Sequence, residues 1–261
     1  MTQLYKHRLL LRLLTLGVLT LCLSLLSRSG SNSPLASTKD PRLFPIQTQA
    51  PTLTVKTQTD APLLISSPRI LSWDGQNGEF AFELINMSSK PIRAYAIKQE
   101  IEAGGTQLSS VLFSNLDLTN HPPLQPNQSS TVFDTCQAMS EKEQRITLSV
   151  DYVEFSDGTK WGVDSAKSAD RSAGQRAAAS LISKRLLKIL NEGNLNDVLN
   201  AIEAGTPSIE PPAGRSEEWK EGFRLGSNSI AAYLKDAKKR GDLKQAEQKL
   251  RQLAERFKGA N

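Results

Sequence analysis

The chain has 261 residues, 38% of them hydrophobic and 23% charged, and a formal charge of +5; that length suffices for one or two domains with a real core. Four of its bases, Lys6, Arg8, Arg12 and Arg28, precede residue 30 and no acid does, so without them 28 bases face 27 acids. The basic balance therefore belongs to the N-terminus and is no argument for nucleic acid.

Lys6, His7, Arg8 and Arg12 lead into an apolar run from Leu13 to Leu26, followed by Ser, Gly and Asn. A charged start, a short apolar stretch and small residues after it form the pattern of a secretory signal. Residues 1–31 are predicted to be one, with cleavage after Ser29-Gly30-Ser31. The run is short for a spanning helix, which needs ~20 apolar residues; the alternative fate is an uncleaved N-terminal anchor. Lipoprotein processing at Cys22 is disfavoured, because Leu21 stands where a small residue is required. Once the signal leaves, Cys136 is alone and no internal disulfide is expected. The protein is expected in the periplasm, the cell envelope or the medium.

Residues 32–62 carry Pro34, Pro41, Pro45, Pro51 and Pro62 among Ser, Thr and Gln, and predict a disordered linker. An extra edge strand is allowed at Leu53-Thr54-Val55. From 63 to 165 short strand-like runs follow one another: Phe80 to Ile85, Ile92 to Glu102, Leu108 to Phe113, Ser130 to Cys136 and Arg145 to Phe155. Even spacing, with Pro, Gly, Asn and Ser between the runs, predicts an all-β sandwich. Pro122 to Ser129 predicts a long crossover over a sheet end.

After Asp164 the period becomes helical. Ala166, Ala169, Ala173, Ala177 and Leu181, with Ala178, Ile182, Leu186 and Ile189, make one broad apolar face. Asp164 or Ser165 is predicted to cap its start and Gly193 to close its end. A shorter helix runs from Leu195 to Ala204, and residues 166–205 are expected to pack on the sandwich. Pro207, Pro211 and Pro212 break the chain over 206–214. Residues 215–258 then predict an αα-hairpin. Trp219, Phe223, Ile230, Leu234 and Ala237 stripe its first helix; Gly241 ends that helix; Asp242 and Gln245 suggest a capping box; Ala246, Leu250, Leu253 and Phe257 stripe the second. From Arg215 onward 12 bases face 7 acids, so this tail is basic.

Reactive groups are few. Beyond the signal the only His is His121 and the only Cys is Cys136, which excludes a His-rich metal site and a Cys-Cys zinc site. His121 lies beside Pro122-Pro123 in a loop, and Cys136 ends a strand, where a small buried apolar role is expected. Asp151, Glu154 and Asp157 crowd into the stretch VDYVEFSDGTKWG at 150–162. Strand alternation sends Asp151 and Glu154 to opposite faces. Asp157-Gly158 suits a two-residue type I′ turn, with Phe155 opposite Lys160 and Glu154 opposite Trp161. No catalytic, cofactor or metal residue is therefore predicted. Glu102-Ala103-Gly104-Gly105-Thr106 predicts a hairpin turn rather than a phosphate loop, because no Lys-Ser/Thr ending follows.

The residues FELINMSSKPIRAYAI, LQPNQS and VDYVEFSDGTKWG together resemble exported bacterial immunoglobulin-like or fibronectin-like domains, over residues 63–165. The resemblance implies a sandwich in which an Asn-x-Ser-x-Lys-Pro-Ile turn joins two core strands and an Asp-Gly-Thr-x-Trp hairpin ends the sheet. It implies binding roles without a shared catalytic site. The whole chain is thus expected to be an all-β immunoglobulin-like sandwich followed by an α-helical C-terminal region ending in an αα-hairpin. Its expected role is a non-enzymatic binding or scaffolding module whose partner is another envelope protein, with no cofactor and no nucleic acid. The alternatives are an accessory subunit docking through the basic hairpin and, less favoured, a carboxylate-dependent hydrolase. One oddity remains in the last strand: apolar residues switch face at Tyr152, which means either a β-bulge there or a cover on the outer face. The cover is expected, with the Ala-rich helix lying over Val153 and Phe155.

Overall fold

A computed structural model describes residues 49–118, 122–137, 143–203 and 209–257. The signal segment, most of the linker and His121 lie outside the described residues. Eight strands come first: β1 (Thr52–Val55), β2 (Leu63–Trp73), β3 (Asn77–Asn86), β4 (Ile92–Ala103), β5 (Thr106–Asn115), β6 (Ser129–Gln137), β7 (Gln144–Phe155) and β8 (Lys160–Gly162). Four helices follow: α1 (Ser168–Glu192), α2 (Leu195–Glu203), α3 (Glu217–Arg240) and α4 (Leu243–Arg256). No helix among the described residues is long and apolar enough to cross a membrane.

The strands form two sheets, one ordered β1-β7-β4-β5 with β8 also on β7, the other β2-β3-β6. Alternation explains why they face each other: Phe80, Phe82 and Leu84 of β3 and Ile97, Ile146, Leu148 and Val150 of β4 and β7 enter one shared apolar core. The permitted edge strand at Leu53 is β1, parallel to β7, so the expected linker is ordered structure over Thr52–Val55. β1 covers the first half of β7's outer edge, Thr52 pairing Arg145 and Val55 pairing Leu148, and β8 covers the last part, from Tyr152 to Glu154. Between them the Gln58 side chain acts as a piece of strand: its amide donates to the Val150 carbonyl at 3.0 Å and accepts from the Val150 N–H at 2.9 Å. Val150, which neither β1 nor β8 pairs, thus has both its backbone groups bonded on that edge.

The Asn-x-Ser-x-Lys-Pro-Ile turn is held from inside. Asn86, fully buried, donates to the carbonyls of Lys90 and Leu124, each at 2.8 Å, and accepts from the Ser88 N–H and hydroxyl. One side chain thus ties the β3–β4 turn to the crossover ahead of β6. Gly104 and Gly105, at φ 57° and 85°, make the two-residue turn between β4 and β5.

The helices make a second core. Val198, Leu199, Ile202, Phe223, Ile230, Leu234, Ala246, Leu250 and Phe257 all bury in it with Ala178, Ile182 and Leu186 of α1. Both predicted hairpin stripes are buried, yet the hairpin does not stand alone: α3 lies against α1 so closely that a Cβ on Gly174 would strike the Trp219 carbonyl, and one on Gly222 the Arg171 carbonyl. α1 also buries Ser168, Ser172, Ser180 and Ser183, small polar residues that the apolar pattern passed over, while Leu181 remains 43% exposed. The expectation that 166–205 packs on the sandwich holds only for the start of α1, since α2 and the rest of α1 belong to the helical core. Asp242 makes no capping bond with its side chain; its N–H is spent closing α3 on the Ala237 carbonyl at 2.9 Å, beside Gly241 at φ 75°. The link between the helices is too short for a separate capping box.

Candidate functional site, the ionic joint at Glu154

Two irregularities build the site. On β7, Val150 pairs with Ile97 and Tyr152 with Ala96, so Asp151 is an extra residue; on β4, Ile92 pairs with Phe155 and Ala94 with Glu154, so Arg93 is extra. A bulge resets the side-chain alternation. Val153 and Phe155 therefore continue Val150's side and bury between the sheets, while Tyr152 joins Ala94 and Ala96 on the outer face against Ala169 of α1. This corrects the expectation for the face switch: the bulge causes it, and the helix covers Tyr152, not Val153 and Phe155.

The bulge also overturns the prediction that Asp151 and Glu154 face opposite ways. Asp151 accepts from the Ser165 hydroxyl at 2.8 Å and Glu154 from the Ser172 hydroxyl at 3.1 Å, so both reach the segment that enters α1. Glu154, 1% exposed, is the centre. Its Oε1 accepts from Arg93 at 2.6 Å and Arg176 at 3.0 Å; its Oε2 accepts from Arg176 at 3.0 Å, Tyr152 at 2.9 Å and Ser172. Arg176 is thereby bidentate, the stronger carboxylate geometry, and it also donates to Ser172 at 2.6 Å.

Burial by itself raises the Glu154 carboxyl, but the Arg176 charge and the hydrogen bonds from Arg93 and Arg176 outweigh it and hold it below the usual range. Burial, then the Glu154 charge, pushes the Tyr152 phenol up, so the phenol stays protonated and can only donate to Glu154. Around this pair Asn115 donates to Gln175 at 3.0 Å, and Arg256 at the end of α4 donates to the Asp117 carbonyl at 3.0 Å. Burial raises the Asp117 carboxyl despite the nearby Arg93, Arg256 and Arg176 charges. Chemically the arrangement fixes an ionised carboxylate between two guanidinium groups. That joins two layers and leaves neither carboxylate oxygen of Glu154 without a donor.

The remaining predicted positions scatter. Asp157 sits in the β7–β8 turn, but the register differs from prediction by one residue: Glu154 pairs with Lys160 and Val153 with Trp161. The loop has three residues, because the Gly158 N–H bonds the Phe155 carbonyl and the Phe155 N–H the Thr159 carbonyl, each at 2.9 Å, with Gly158 at φ 87°. Asp157 pairs with Lys90 at 2.7 Å and accepts from Thr159, and these contacts hold its carboxyl low. Cys136 is buried, and burial followed by the Asp134 charge raises its thiol to about 11, which leaves it unionised near neutrality. Asp164 helps start α1, its carboxylate accepting from the N–H groups of Ser168 and Ala169. Sequence reasoning named Glu154 but missed Arg93, Arg176 and Ser172 as its partners. Ser172 and Arg176, four apart on one helix face, were the only local signal.

No protein family and no curated protein matches the chain. Among solved structures it is similar to a Bordetella pertussis protein designated ApaA, at 16% identity and a TM-score of 0.28, over 38% of this chain and 84% of that one. It is also similar to the structural-genomics target SoR45, at 12% identity and a TM-score of 0.25, over 38% of this chain and 79% of that one.

Proposed function

We propose that this chain is an exported, non-enzymatic binding or scaffolding module of the bacterial envelope, its two sheets forming an immunoglobulin-like sandwich that presents a face to another protein. The observation that supports the reading is the outer face of the β2-β3-β6 sheet. Phe133, 65% exposed, stands there beside Ala81, with Leu64, 41% exposed, next to Ile85 in the same sheet. An exposed aromatic on a rigid sheet is the kind of anchor that protein interfaces use, whereas Glu154 has all its acceptor capacity spent on the internal joint. Affinity capture of the tagged exported chain from native envelope extract tests this. A co-purifying protein that is lost with Phe133→Ser is expected; a partner retained by that variant would move the interface elsewhere.

A second reading has its own support. The apolar stripes of α3 and α4 are used up inside the helical core, but Lys235, Lys239 and Lys244 remain exposed around the Gly241 turn. They suit an acidic partner surface. Because removing the hairpin would destroy the core, the test is Lys235→Glu, Lys239→Glu and Lys244→Glu combined, in the same capture: loss of the partner here, with Phe133→Ser silent, selects the helical surface.

A further inference from the structure

We propose that β5 is a pairing edge for a second copy of this chain, joining antiparallel to its own two-fold mate at Ser109. A sheet edge offers a row of unpaired N–H and C=O groups, and proteins commonly block such rows with charges, Pro, bulges or side chains. The other edges of the described strands carry such devices. β7 is covered by β1, Gln58 and β8, and β1 and β8, which form the edge on that side, are only 4 and 3 residues long, short enough to blunt pairing. β2 contains Pro68 and Arg69 and two register shifts, with Ser67 at φ 51°. On β6 the Asp134 carboxylate accepts from the Thr135 N–H at 2.8 Å.

β5, read TQLSSVLFSN, has no charge, no Pro and an unbroken register with β4 from Ala103↔Thr106 to Ala94↔Asn115. No described strand lies on its other side. The two-residue turn at Gly104–Gly105 makes Ala103↔Thr106 a hydrogen-bonded pair. Alternation then aims the N–H and C=O of Gln107, Ser109 and Val111 at the free edge. Residues Thr106 to Ser110 are all exposed, including Leu108 at 51%, while the strand from Val111 onward is partly covered. A two-fold axis at Ser109 uses the exposed half: Ser109 meets Ser109 of the second copy, Gln107 meets Val111, and Leu108 meets Ser110. The second copy is the fitting occupant because a neutral strand meets itself without like charges across the pair, and every copy carries this same open edge. The overlap is short, below a standard interface, so the association is weak and concentration-dependent.

Ser109→Cys in the full chain tests the geometry, since the axis sets the two Cα atoms about 5.5 Å apart, inside the range a disulfide spans. Under mild oxidation a disulfide-linked dimer is expected well above that of the unmodified chain and of Thr131→Cys on β6. Ser109→Lys, its fold checked by circular dichroism, is expected to remove the concentration dependence of the sedimentation coefficient. Dimer formation by Thr131→Cys equal to that of Ser109→Cys, a monomer at all concentrations, or cross-linking of Ser109→Cys only to a different protein in extract would each overturn the assignment.

Discussion

Glu154 shows how one carboxylate can be committed to structure. Its five donors come from β4, β7 and α1, and Arg93 and Arg176 are themselves largely buried, with side chains 22% and 13% exposed. Glu154→Gln leaves both guanidinium groups without their counter-charge. Breaking a buried pair in this way costs about 3–5 kcal/mol, so a drop of that order is expected in the denaturant midpoint analysis. The pH dependence follows from the direction of the shift. The carboxyl is held below its ordinary value of 4.5, so its stabilisation is complete above that value and is lost as pH falls below it. Asp117 has the opposite sign: burial raises its carboxyl above 3.8, so ionising it as pH rises past that value costs stability. Thermal unfolding from about pH 7 to about pH 3 should therefore show an acid loss that Glu154→Gln flattens; an unchanged acid limb in the variant would assign the loss to other carboxylates.

At the scale of elements, backbone approaches and borrowed hydrogen bonds decide the packing. Gly222 lets α3 touch α1, and a methyl there meets the Arg171 carbonyl. Gly222→Ala must push the helices apart and is expected to cost about 3 kcal/mol, the upper end of overpacking, and to lower the melting temperature of the helical signal. Gln58→Ala removes the bridge between β1 and β8. With the Val150 N–H left unpaired the cost is about 1–3 kcal/mol, and hydrogen exchange at that amide should accelerate while Leu148 and Tyr152 stay protected; uniform acceleration along β7 would instead mean that β1 detaches.

For the whole molecule, two apolar cores meet across a mostly polar joint. The sheet core and the helical core share no buried residue, and the apolar part of the contact includes Tyr152, Ala94 and Ala96 with Ala169, and Leu118 against the helical core. A chain ending after Asp164 keeps every residue of the sheet core but loses Arg176 and Ser172 from Glu154. It is expected to retain the β-type circular dichroism with a lower melting temperature than the full chain. Loss of all β-signal on truncation would show that the helices complete the sheets.

Much of this organisation is legible in the linear order of residues. Local periodicity determined the strand runs and both stripes of α3 and α4, since period two and period 3.6 each demand one buried face. The Gly104–Gly105 turn and the end of α3 at Gly241 also follow from residue type. What periodicity could not supply is anything set by a partner distant in sequence. The bulges at Arg93 and Asp151 depend on which residue of the neighbouring strand stands opposite, so the sides taken by Tyr152, Val153 and Glu154 were decided only in the assembled sheet. The same is true of the joint: Glu154 lies 61 positions from Arg93 and 22 from Arg176, and only the folded chain makes them one ion cluster. VDYVEFSDGTKWG thus carried its turn and its strand in its own sequence, but its central carboxylate took its role from residues elsewhere, because a buried charge is stable only where the tertiary structure delivers its counter-ions.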